Sequence, residues 1–141
     1  MGHSMGGQIA GFLGQGTNGE LNTIIGLDPA GPLYFENLPD SRLSADDAKY
    51  VQGIHTNAAL KGVNFNVGVI DFWPNGGYLQ AGCGTDILGS CSHRRAFEYM
   101  AESIESNRFY ARLCDSYNNY LAQSCINNTQ ARMGGPKYDK T

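Results

Sequence analysis

A serine set between two glycines, in the run Gly2-His3-Ser4-Met5-Gly6, constrains this chain more than any other feature of its 141 residues. In a G-x-S-x-G elbow the serine rides a tight strand-to-helix turn with strained backbone torsions. Small residues must therefore flank it, while its hydroxyl projects from the edge of a sheet. Such a turn is fed by a buried strand, yet only Met1 precedes Gly2. The chain is accordingly expected to be a fragment, with residues 1–141 forming part of one catalytic-type domain that begins upstream and is cut off near its end. An elbow strand without its parallel neighbours would leave unpaired backbone groups inside a sheet, so the stretch is not expected to fold alone.

Past the elbow, Gly6 to about Gly14 carries Ile9, Phe12 and Leu13 at helical spacing, and Gly7 and Gly11 allow close approach to a sheet. Asn18-Gly19 marks a turn, and Asn22 to Leu27 is a short apolar run of the buried-strand kind, stopped by Asp28-Pro29. Residues 30 to 48 read as a long surface loop. Further strands are predicted over Tyr50 to Thr56 and Val67 to Phe72, and a turn at Pro74-Asn75-Gly76-Gly77. The stretch from Cys83 to Cys91 then leads into a helix starting near Ser92 or His93, with Phe97, Met100, Ala101 and Ile104 as its apolar face. The pattern turns irregular from Arg108, and Gly134 to Thr141 resembles a loop. Helices alternating with apolar strands define an α/β sheet, here a partial α/β-hydrolase fold.

An apolar content of 41% suits an ordinary core, and a net charge of −3 with no basic cluster beyond Arg94-Arg95 argues against a nucleic-acid partner. No apolar run approaches the roughly 20 residues that span a bilayer, and no signal peptide is visible. Cys83, Cys91, Cys114 and Cys125 fall into two close pairs, which suits two local disulfides and an oxidising, extracellular setting. Four reduced thiols are the plain alternative. A zinc site of Cys83, Cys91 and His93 is another, though it lacks a convincing fourth ligand. The sequon Asn127-Asn128-Thr129 offers a glycan acceptor suited to a secreted chain.

A lone G-x-S-x-G in a chain with 19 glycines is a weak signal, and the order of the residues around it strengthens it. An α/β-hydrolase presents serine, then an acid, then histidine. Here Ser4 is followed by Asp28 at a strand's carboxyl end, where open α/β sheets gather working residues, and by His93 in a loop before a helix. A serine hydroxyl needs a neutral imidazole to take its proton. The imidazole in turn needs a carboxylate to fix its tautomer. Of the three histidines, His3 adjoins Ser4 and is expected to pack beneath the turn, and His55 ends a strand where it could line the site or bond to backbone. His93 is the stronger candidate base. Asp71, the rival carboxylate, is expected to satisfy buried loop amides instead. Met5 follows the nucleophile at a helix N-terminus, so its backbone N–H would help hold a developing oxyanion. The second donor of such a hole normally comes from a loop before the elbow strand, so this stretch alone is expected to be inactive.

These residues resemble the pancreatic lipase family along nearly the whole chain. The resemblance is carried by Gly2-His3-Ser4-Met5-Gly6-Gly7, Gly26-Leu27-Asp28-Pro29-Ala30-Gly31-Pro32, Ile54-His55-Thr56, Asp71-Phe72-Trp73-Pro74-Asn75-Gly76-Gly77 and Cys91-Ser92-His93, in the family's order. It implies a secreted hydrolase of lipid carboxylic esters acting at a membrane or lipid-droplet interface, with Ser4 as nucleophile, Asp28 as orienting acid and His93 as general base. It also implies that Cys83–Cys91 closes a lid loop and that Cys114–Cys125 staples the segment after the last helix. Only Gly84 to Ser90 lie between the first two cysteines, with Ile87-Leu88 the sole apolar pair, and Asn57 to Val69 is short as well. Both features resemble the phospholipase A1 branch and its insect members more than the long-lidded neutral lipases. The family's calcium site draws on loop backbone and two acids in the region of Arg42 to Asp47. Asp47 is in place, but Ser44 stands where the second acid is expected, so no cofactor is expected. A non-catalytic lipid-binding or yolk-type protein of the same fold is the alternative, although such relatives usually lose a triad residue and none is lost here. A genuine short product starting at Met1 is a third reading.

Overall fold

The computed structural model describes residues 1–106 and 108–135. The chain divides into two units, Met1–Phe97 and Glu98 onward. In the first, four parallel strands run in sequential order: β1 (Gly2–His3), β2 (Ile24–Leu27), β3 (Val51–Ile54) and β4 (Ile70–Phe72). Register is continuous across the sheet, with Gly2 opposite Gly26, Gly26 opposite Gly53, and Gly53 opposite Asp71. Every residue of β2 and β3 is buried, as strands covered on both faces require. This explains the apolar runs visible in the sequence. Ile24 and Val51 join Leu43, Ala48, Val63 and Val67 in the core cluster. Each large aliphatic side chain there contributes roughly 1.5–3 kcal/mol.

Helix α1 (Met5–Gly16) follows β1 directly. Its buried positions are Gly7, Gln8, Gly11 and Gly14, while Ile9, Phe12 and Leu13 are exposed, so the predicted apolar face is not the one this unit buries. The glycine face lies against the loop after β2: added side-chain carbons at Gly11 and Gly14 would meet the backbone of Leu43 and Asp47. The close approach at Gly11 and Gly14 is thus to that loop, whereas Gly7 lies against the sheet as expected, an added side-chain carbon there falling 3.2 Å from the Gly2 carbonyl oxygen of β1. Gln8 fastens it, donating from Nε2 to the Ala30 carbonyl and accepting the Leu43 N–H at Oε1, both at 2.7 Å. The surface loop expected over 30–48 holds a 3-10 turn at Pro39–Ser41.

Helix α2 (Ser90–Glu105) crosses from the first unit into the second. Ser92, Ala96, Met100 and Ser103 are its buried residues of lowest exposure, whereas Phe97, Ala101 and Ile104, expected inside, are not buried. The helix begins two residues or more before the expected start at Ser92 or His93, so His93 lies within its first turn rather than in a loop before it, and the expected face rested on apolarity alone. Two small serines won places there. Ser103 Oγ donates to the Met100 carbonyl at 2.6 Å and accepts the Gly135 N–H at 2.8 Å, a polar role that periodicity does not reveal.

In the second unit, β5 (Tyr110–Arg112) pairs antiparallel with β6 (Gln130–Arg132), and α3 (Tyr117–Leu121) lies between them in sequence. The region predicted to be irregular therefore contains a small hairpin. Ser116 caps α3 by accepting the Asn119 N–H at 3.1 Å. A Cys114–Cys125 disulfide closes the loop around α3. Of the predicted terminal loop 134–141, residues 136–141 lie outside the described residues.

Candidate active site

Ser4 stands between β1 and α1 with φ 57° and ψ −124°, a strained conformation for a residue with a side chain. Its backbone is held on three sides. The N–H donates to the Leu27 carbonyl at 3.0 Å, and the Ser4 carbonyl accepts from Gly7 at 3.0 Å and from Ala30 at 3.1 Å. Only glycine fits at position 2, because an added side-chain carbon would fall 2.0 Å from the Gly6 carbonyl oxygen. Met5 opens α1, so its N–H belongs to the first turn, whose amides have no intrahelical acceptor.

Asp28 follows β2 directly, also at positive φ (45°), and its side chain is fully buried. Oδ1 accepts the N–H groups of Thr56 at 2.8 Å and Asn57 at 3.0 Å. Oδ2 accepts a hydrogen bond from His93 Nδ1–H at 2.6 Å. Both oxygens are thereby fixed, as a buried carboxylate requires. Gly62 makes room for this arrangement, since a side-chain carbon there would lie 2.5 Å from Oδ1.

His93 sits in the first turn of α2 with its own N–H bonded to the Gly89 carbonyl at 2.9 Å. With Nδ1 donating to Asp28, Nε2 carries the ring's lone pair. The helix start is built by residues that the sequence reading did not single out. Asp86 accepts the Ser92 N–H at 2.7 Å and the Cys91 N–H at 3.1 Å, and these hydrogen bonds, that of Ser92 foremost, hold its carboxyl below the ordinary range. Gln80, almost wholly buried, donates its backbone N–H to Ser92 Oγ at 3.1 Å and its Nε2–H to the Thr56 carbonyl at 3.0 Å. It thus ties the start of α2 to the loop that grips Asp28. An acidic residue a few positions before a helix was the one readable sign of Asp86, while nothing in the local pattern marks Gln80.

Cys83 and Cys91 are joined in a disulfide, and so are Cys114 and Cys125. The zinc alternative falls with the first bond, which leaves neither sulfur as a thiolate. Ile87 and Leu88, inside the loop closed by Cys83 and Cys91, are 82% and 75% exposed.

The other two histidines have partners of their own. His55 is fully buried, with Nε2 2.7 Å from Asp71 Oδ1 and its ring stacked at 3.9 Å on Trp73. Asp71 also accepts the N–H groups of Val67 at 3.0 Å and Gly68 at 2.9 Å, the loop-amide role expected of it. His3 does not pack beneath the turn. Its ring centroid is 4.3 Å from that of His93, and its Nε2 donates to the His93 carbonyl at 2.9 Å.

In the loop considered for calcium, the Ser44 N–H donates to Asp47 Oδ2 at 2.8 Å and Gln15 Nε2 donates to the Arg42 carbonyl at 3.0 Å. Burial raises the Asp47 carboxyl above its usual range. The Arg42 guanidinium itself donates to the carbonyls of Phe35, Glu36 and Leu43.

A parallel sheet whose carboxyl edge brings a strained serine elbow beside a buried His–Asp pair defines the α/β-hydrolase class. The family model described as Lipase matches residues 1–140, and the chain belongs to the lipase family, as the resemblance to pancreatic lipases implied. It is 40% identical to "Lipase member H" of Rattus norvegicus over 89% of this chain and 29% of that protein. It is 39% identical to "Phospholipase A1" of Vespa crabro over the whole of this chain and 49% of that protein. To "Phospholipase A1 2" of Polistes dominula it is 46% identical, over 74% of this chain and 33% of that protein. The chain thus spans between about a third and a half of the length of these curated relatives.

Proposed function

We propose that the intact protein containing these residues is a secreted serine hydrolase of lipid carboxylic esters, working through an acyl-enzyme. The observation that carries this reading is the 2.6 Å contact of His93 Nδ1 with a doubly clamped Asp28, beside an elbow serine at φ 57°. Because Nδ1 holds its proton for Asp28, Nε2 is the base that takes the Ser4 hydroxyl proton as Oγ attacks the ester carbonyl. The Asp28 carboxylate then stabilises the imidazolium. The Met5 N–H supplies one donor to the tetrahedral oxyanion, an interaction whose loss typically costs about 2.7–4 kcal/mol of transition-state stabilisation. Collapse releases the alcohol, which takes the proton from Nε2. Water then attacks the acyl-Ser4 ester by the same proton route in reverse, freeing the fatty acid.

The substrate is a phospholipid attacked as by phospholipase A1, in preference to triacylglycerol. Two features support this: only seven residues, Gly84 to Ser90, lie in the loop closed by Cys83 and Cys91, and the wasp relatives are named phospholipases. Secretion is supported by the two disulfides and by the exposed sequon at Asn127. Catalysis uses no metal. The two acids in the loop of Arg42 to Asp47 are already engaged, Asp47 Oδ2 by the Ser44 N–H and Asp46 Oδ1 by the Ser44 hydroxyl, and the Arg42 carbonyl is filled by Gln15. Chelation with EDTA is therefore expected to leave both activity and melting temperature unchanged, and a drop in either contradicts this.

Hydrolysis of phosphatidylcholine and of triacylglycerol side by side tests the reading, with Ser4→Ala as the blank. Release of the sn-1 fatty acid, little triacylglycerol turnover and a loss of about 10⁴-fold or more in the Ala variant are expected. Preference for triacylglycerol would make it a neutral lipase, and turnover of neither would favour a non-catalytic lipid-binding protein.

A further inference from the structure

We propose that His3 is a positioning residue for His93, holding the base's backbone and ring in the attitude that proton transfer needs. The inference rests on the reading of Ser4, Asp28 and His93 given above. His3 is the residue immediately before Ser4 and reaches across 90 positions of sequence to donate its Nε2–H to the His93 carbonyl at 2.9 Å. Its ring lies 4.3 Å from the His93 ring at an interplanar angle of 46°, and meets Phe97 edge-on at 5.2 Å. His93 is therefore held at its N–H by Gly89, at Nδ1 by Asp28, at its carbonyl by His3, and along one side of its ring by His3 again.

Side-chain packing alone would not need a donor aimed at that carbonyl. Asp28 fixes one end of the imidazole but leaves the ring free to tilt about the Nδ1 contact. A second hold on the same residue removes that freedom, and a shift of about 1 Å in a reacting group can cost on the order of 100-fold in rate. Because His3 is covalently next to Ser4, its grip also fixes the distance between the elbow and the base's helix.

The charge state suits the role. A carbonyl accepts from Nε2, so His3 is the Nε2–H tautomer, and a second proton would set a cation beside the imidazolium that forms on His93. Burial holds the His3 imidazole below its ordinary range; the His93 carbonyl raises it in part, the neighbouring His93 ring lowers it further, and Asp28, at the end of β2, opposes that. Phe97, the other group on this ring, carries no charge.

The test measures kcat and KM of the intact protein on a soluble p-nitrophenyl ester for His3→Phe and His3→Gln, with Ser4→Ala and His93→Ala as controls. Phe keeps a ring and loses the donor; Gln keeps an amide donor that reaches the same carbonyl. Expected is a fall in kcat of about 10-fold in the Phe variant with KM within about 2-fold, and recovery to within about 3-fold of wild type in the Gln variant. If the Phe variant does not fold, His3→Asn, whose amide is too short to reach, takes its place with the same expected loss. The proposal is overturned if the donor-less variant keeps wild-type kcat, if its KM rises in step with the loss, or if Gln falls as far as Phe. Full activity in Ser4→Ala or His93→Ala would instead overturn the underlying triad reading, so the two failures are distinct.

Discussion

Two His–Asp pairs of nearly equal length stand side by side in this sheet, 2.6 Å between His93 and Asp28 and 2.7 Å between His55 and Asp71, yet they are built for different ends. The His55 ring is fully buried and stacked flat on Trp73, so its partner carboxylate and its ring face are spent on holding one loop. The His93 side chain keeps 11% of its surface exposed, rides the first turn of a helix, and is flanked by the residue that precedes the elbow serine. A short His–Asp contact therefore does not define a proton-transfer site. The surroundings of the remaining ring nitrogen do.

The largest effect that can break this contrast is at the carboxylates. Asp28→Asn keeps the shape but offers Nδ1 a donor in place of an acceptor, so kcat is expected to fall by about 10³–10⁴-fold with KM little changed. Steady-state kinetics on a soluble ester check this, and an equal loss in Asp71→Asn would erase the distinction between the pairs.

A second effect is expected in stability rather than rate. His55→Ala opens a cavity beside Trp73 and strips a buried carboxylate of its partner, at a cost of about 3 kcal/mol. Denaturant unfolding should show the midpoint shift, while kcat per folded molecule stays near wild type. A selective loss of kcat would place His55 in the chemistry after all.

The smallest effect sharpens the comparison through pH. His3 lies against the first pair only, and its folded-state pKa is lowered from 6.5 by burial. The unfolded chain then binds the more protons, so the stability contributed at His3 is full above about pH 6.5 and is lost as the pH falls through the folded value. Melting temperatures from pH 7.5 down to 5 should fall less steeply in His3→Phe than in wild type; parallel slopes would contradict this.

Much of the fold was legible because covered parallel strands must be largely apolar. The runs Asn22 to Leu27, Tyr50 to Thr56 and Val67 to Phe72 contain β2 to β4, with Gln52 and Asp71 as the polar exceptions. Ser4, Asp28 and His93 could be read as a set because they follow one another in the hydrolase order near the ends of elements, Ser4 after β1, Asp28 after β2 and His93 in the first turn of α2, and the structure brings Asp28 and His93 into contact. Helix faces were less legible. In α1 the glycines mark the buried side by what they lack, and in α2 Ser92 and Ser103 are buried for their hydrogen bonds. Gln80 escaped because its partners, Thr56, Pro74 and Ser92, are scattered along the chain and meet only after folding.

The most direct test of the central claim is covalent capture. The intact protein treated with a fluorophosphonate and digested should carry the adduct on the peptide containing Ser4, at a rate that collapses in His93→Ala. An unlabelled Ser4 in folded protein, or labelling indifferent to His93, would contradict the account.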